Sequence, residues 1–110
     1  MTSVQVAGIT VAIEFFSDKR LVATEGYNDG PILGESNESK HTIHIYDSPH
    51  PGEVEITFYH ELMHQLVGMY HIRDIRNKDG SHVEDSIDLL AVGLQEALSS
   101  LGIDIKEYIR

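Results

Sequence analysis

Cysteine and tryptophan are both missing from the 110 residues. Without cysteine there is no disulfide framework, thiolate zinc finger, iron–sulfur cluster or cysteine nucleophile, and any metal site has to be assembled from His, Asp and Glu. Cations are scarce as well: 8 Lys and Arg stand against 18 Asp and Glu, a formal net charge of -10. A surface of that sign repels phosphate backbones and anionic headgroups, so neither nucleic acid nor a membrane is an expected partner. No long apolar run occurs. The stretch from Val6 to Phe16 is broken by Thr10 and Glu14, and no Lys or Arg precedes it, which argues against a signal peptide or a membrane span. Low-complexity segments are absent too, and 41% of the residues are apolar, the composition of a folded domain. The expectation is one domain over residues 1–110 in a cytoplasmic setting.

Histidine, by contrast, is abundant, with seven residues. Their positions gain meaning from the elements that carry them. Ile9, Val11, Ile13 and Phe15 alternate with polar or small neighbours, the period of a strand with one buried face, and Ala7-Gly8 offers a tight turn near its start. Turn formers crowd the segment from Gly26 to Pro31, which reads as a loop. A second strand pair follows, Ile32–Glu35 and Lys40–Tyr46, joined by the polar turn Asn37-Glu38-Ser39. Pro49 and Pro51 then stop the strand, and Pro51 suits the first turn of a helix. Phe58, Leu62, Leu66 and Met69 recur at helical spacing through about Tyr70. A charged loop spans Arg73 to His82. Ile87, Leu90, Ala91, Leu94, Ala97, Leu98 and Leu101 then mark a second helix ending near Gly102, and the tail from Ile103 is expected to pack loosely. The fold class expected is α+β, a small antiparallel sheet followed by two core helices.

The first helix contains His60-Glu61-Leu62-Met63-His64. Histidines four apart lie one above the other on a helical face, so both imidazoles reach one cation, and Glu61, one step round, meets a water beside it. This is the H-E-x-x-H zinc pattern. A catalytic zinc takes three protein ligands at about 2.0–2.2 Å and keeps a fourth position for water. A third ligand is therefore required. One class of such proteins places Gly three and His six residues after the second His; here those positions hold Val67 and Tyr70, with Gly68 and His71 one residue late. Glu84, 20 residues after His64 at the head of the second helix, is the candidate, with Asp85 and Asp88 as alternatives. Asp88, one turn beyond Glu84, can also accept the free N–H of a ligating imidazole. His71 and His82 are candidates for polarising a substrate carbonyl or an oxyanion, the plainer alternative being solvated loop histidines.

The order of elements and the residues His60, Glu61, His64, Glu84 and Asp88, the last two within Glu84-Asp-Ser-Ile-Asp88, resemble the gluzincin branch of the zincin metallopeptidases. In its brevity the chain looks like the small bacterial and phage relatives of the ImmA/IrrE metallopeptidases. The likeness covers roughly residues 32–101. It implies a minimal zincin-like fold and a Zn²⁺ ion on His60, His64 and Glu84. It also implies Glu61 as general base, Asp88 behind a ligating histidine, and hydrolysis of a peptide or protein substrate, most simply as an endopeptidase. The strand Lys40–Tyr46 would be the sheet edge on which extended substrate is laid. The alternative is a zinc-binding, non-proteolytic regulatory or interaction module of the same fold.

Overall fold

The computed structural model describes residues 2–17 and 33–109, so the loop expected at Gly26–Pro31 and Ile32 lie outside the described residues. The fold is α+β. Strand β1 (Thr2–Val6) turns at Ala7 and Gly8, both with positive φ, into β2 (Ile9–Phe16). Two consecutive positive φ values match the right-handed twist of the flanking strands, and Gly8 meets that requirement without strain. β3 (Gly34–Asn37) and β4 (Thr42–Tyr46) form a second antiparallel pair.

The sheet order is β1-β2-β4-β3, and β2 pairs β4 in parallel, Ile13 opposite Ile43 and Phe15 opposite Ile45. The sheet is therefore mixed, where an antiparallel one was expected. It also follows that β4 is internal, and that β3, not the strand Lys40–Tyr46, forms the edge nearest the first helix among the described residues. A strand flanked on both sides buries its apolar face most completely, and Ile43 and Ile45 are wholly buried. On the other face His44 bridges three strands: its two ring nitrogens lie 2.8 Å from Glu14 and 2.7 Å from Glu35, which are its register partners on β2 and β3.

Helix α1 (Pro51–Met69) starts on Pro51 with Glu53 in its first turn, favourable to the helix dipole. It ends where His71, at φ 55°, reverses the chain: the His71 N–H donates to the Gly68 carbonyl and the Ile72 N–H to that of Val67. That pair of bonds is a Schellman cap with histidine in the place where glycine is commonest. Val54, Phe58, Tyr59, Met63 and Val67 join Val6, Val11, Ile13, Ile43 and Ile45 in one core. Helix α2 (Glu84–Ser100) closes with the same cap, Gly102 supplying the positive φ.

The apolar stripe of α2 is narrower than expected. Ile87 and Ala91 are buried and Leu94 and Leu98 half-buried, one seam against α1, while Leu90 and Leu101 of the predicted stripe, with Leu89 and Val92, face solvent. A helix resting on a single neighbour covers only one such seam. The tail does not pack loosely: α3 (Lys106–Ile109) places Ile109 in the core. Among the described residues no helix is long and apolar enough to cross a membrane.

Candidate metal centre

Polar residues of α1 face β3 in register. Gly34 lies against Thr57 and Glu61, the Gln65 amide donates to Ser36 Oγ and to the Thr42 carbonyl, and the Glu38 carboxylate covers Gly68. Gly68 thus makes room for Glu38, not for the approach of α2. One step round the helix from Glu61 and Gln65 are His60 and His64, which point to the start of α2.

The loop between the helices delivers what they meet. Arg76 donates to Val67 and Gly68 carbonyls at the end of α1 and to the Gly80 carbonyl. Arg76 and His82 form an isolated β-bridge, Val83 N–H donates to Ile75 O at 2.7 Å, and Asp79 accepts from the Ser81 N–H and hydroxyl. So folded, the loop sets His82 beside His64 and starts α2 with Glu84 facing both histidines.

The Nε2 atoms of His60 and His64 are 3.2 Å apart, and Glu84 lies 3.2 Å from the first through Oε2 and 3.3 Å from the second through Oε1. Ligands at about 2.0–2.1 Å from a tetrahedral ion are separated by about 3.3–3.4 Å, close to these separations, although the two histidines meet different oxygens of the Glu84 carboxylate. The donor chemistry agrees. His60 Nδ1 is 2.7 Å from Asp88 Oδ1; an ionised carboxylate only accepts, so Nδ1 carries the proton and Nε2 presents a lone pair. The two imidazoles and the Glu84 carboxylate converge on one point, where an ion could be shared among them. Among the described residues this is the only group of three or more His, Asp or Glu side chains placed to share an ion. The residues fit a small divalent metal with three protein ligands.

Glu61 is 5% exposed and, with His60 and Asp88, lines a cleft of about 370 Å³ whose other walls are Leu33, Gly34, Ile56 and Thr57. Burial, then the charges of Glu84 and Glu35, push its carboxyl up to about 8. Burial also holds His64 below the ordinary imidazole value, against the opposing pull of Glu84, while His60 and His82 add to the lowering. His82 is lowered by burial and by Arg76.

The structure thus brings together His60, Glu61, His64, Glu84 and Asp88. It does not bring His71 to the cleft, since that residue caps α1. His82 is close but on the far side of His64, its Nδ1 2.7 Å from His64 Nδ1 and the rings stacked 4.9 Å apart. That position does not suit an oxyanion partner in the cleft. Sequence reasoning missed Gly34 and Thr57 as cleft walls and Glu35 as a neighbouring charge. The spacing of Thr57, Glu61 and Gln65, four apart and all polar, was the signal that this face of α1 does not meet an apolar core. No protein-family model matches the chain, and neither a curated protein nor a solved structure matches it.

Proposed function

We propose that the protein is a small zinc-dependent peptidase of the gluzincin type, related in kind to small bacterial and phage metallopeptidases and acting inside the cell. The observation that carries this reading is the triangle of His60 Nε2, His64 Nε2 and the Glu84 carboxylate, with sides of 3.2–3.3 Å, opening on a cleft that also holds a buried carboxyl. Two nitrogens and one carboxylate oxygen are a donor set that zinc accepts in catalytic sites. When bound there, zinc supplies a Lewis acid that acidifies water and polarises a carbonyl.

The chain's own residues do the rest. Glu61 stands in the cleft beside His60; a cation on the neighbouring ligands would favour its ionised form over the raised value of the metal-free chain, and as a carboxylate it takes the proton of the water attacking the scissile carbonyl and passes it to the departing amine. Asp88 fixes the tautomer and orientation of His60. Among the described residues β3 is the sheet edge beside the cleft, and its backbone from Gly34, with Leu33 just before it, offers hydrogen-bonding groups to an extended peptide laid along the cleft. With Glu35, Glu84 and Asp88 around it and a net charge of -10, the cleft favours neutral or basic peptides over acidic ones.

Metal analysis of the full chain, purified without a metal-affinity tag, is expected to give close to one zinc per molecule. Glu61→Gln is expected to retain the metal while hydrolysis of a mixed peptide library at neutral pH falls at least about 100-fold. Absence of zinc after supplementation overturns the metal assignment. Zinc without hydrolysis, or equal rates in wild type and Glu61→Gln, overturns the peptidase assignment and leaves a zinc-binding module.

A further inference from the structure

His60 and His64 are held differently. Behind His60 is the exposed carboxylate of Asp88; behind His64 is another imidazole, His82, at 2.7 Å between the two Nδ1 atoms. A proton must lie on one of those two nitrogens. If it lay on His82, His64 would accept, its own proton would sit on Nε2, and that proton would point into the triangle at His60 Nε2 and Glu84 Oε1. If it lies on His64 Nδ1, the Nε2 lone pair is free. Only the second arrangement leaves three donors for an ion.

We infer that His82 is a positioning residue of the metal centre: its Nδ1 accepts the Nδ1–H of His64 and so keeps Nε2 of His64 as a ligand. This rests on the zinc assignment above. The loop geometry supports it, because His82 is anchored through its backbone on both sides. It pairs with Arg76 in the β-bridge, its carbonyl accepts from the Asn77 amide, and the next residue, Val83, donates to the Ile75 carbonyl. The ring is thus fixed by the same loop that delivers Glu84, and ligand and support arrive together. The choice of imidazole over carboxylate also follows from charge. Glu61 and Asp88 in the cleft and Glu84 against the two histidines already bring three carboxyl groups to the site. A neutral acceptor orients His64 without adding a fourth, which would neutralise further the cation's pull on water.

The test uses the full chain. Zinc affinity is measured by competition with a chromogenic chelator for wild type, His82→Ala, His82→Phe and His82→Gln. Phe keeps a stacking ring without an acceptor, and Gln restores an acceptor oxygen. The expectation is a loss of roughly 10–100-fold for Ala and Phe, the usual effect of removing a partner behind a ligand, with most of the loss recovered by Gln. Nitrogen-15 NMR of the zinc-loaded wild type is expected to show the His64 proton on Nδ1 and none on Nδ1 of His82. Equal affinity in wild type and His82→Phe overturns the role and leaves the metal centre standing, whereas a proton on Nε2 of His64 in the zinc-loaded chain overturns both the role and His64 Nε2 as a ligand. Failure of the wild type to take up zinc removes the metal centre, and this role with it.

Discussion

Glu61 ties the stability of the metal-free chain to pH. Its carboxyl is raised from 4.5 to about 8 on folding, so the folded state holds the proton more tightly than the unfolded one. The stabilisation is complete below about pH 4.5 and is lost as pH climbs to 8. His64, lowered from 6.5, acts in the opposite sense, but only in the acid window below its ordinary value. Between about pH 6.5 and 8 the Glu61 effect is therefore unopposed by His64. Thermal denaturation in chelator should find Glu61→Gln gaining on wild type by a few kcal/mol, to order of magnitude, between pH 5 and pH 8; a constant gap contradicts the burial of a titrating carboxyl. Glu84→Gln should weaken zinc binding more than Asp88→Asn does, while Asp85→Asn leaves it nearly unchanged, as chelator competition will show. The pair His60 and His64 was legible in the sequence because four residues on a helix fix two side chains without help from the rest of the fold. The place of His82 was not, since it depends on Arg76, Asn77 and Asp79 folding the loop between Met69 and Glu84 onto the end of α1.

Elements were legible wherever local chemistry decides them: Ala7-Gly8 as a turn, Pro51 as a helix start, Gly102 as a helix end. Pairing was not, because alternation in Thr42–Tyr46 says that one face is buried but not which strands lie on either side. The contact of β2 with β4 makes β3 the edge among the described residues, and that moves the expected substrate platform by one strand. Two glycines on this border should respond oppositely to alanine. At Gly34 a methyl group would press on Thr57 and come within 3.2 Å of Glu61 Cγ, both on a packed helix, so Gly34→Ala should cost about 1–3 kcal/mol in denaturant melts and shift Glu61. At Gly68, in the last turn of α1, the nearest atoms the methyl meets are the end of the Glu38 side chain, which can swing away, and alanine there gains at most about 1 kcal/mol over glycine. Gly68→Ala should be neutral or stabilising by the same measurement.

At the scale of the whole molecule, α2 is held along one seam only. It rests on α1 through Ile87, Ala91, Leu94 and Leu98, and its outer surface, from Leu89 to Leu101, is bare. Yet the first two turns of α2 carry Glu84 and Asp88, which reach back to His60 and His64. An ion shared by the three ligands, as proposed, would therefore act as a latch between the two helices. Local opening of α2, not global unfolding, would then be what the ion governs. Amide hydrogen exchange should be fast along α2 in the zinc-free chain and slow once zinc is added, while β4 and the buried half of α1 change little. Equal protection of α2 in both states would mean that the four-residue seam suffices on its own. If the latch operates, the chain registers the availability of metal in the order of its last long helix, and proteases in its surroundings would read that order as susceptibility to cleavage.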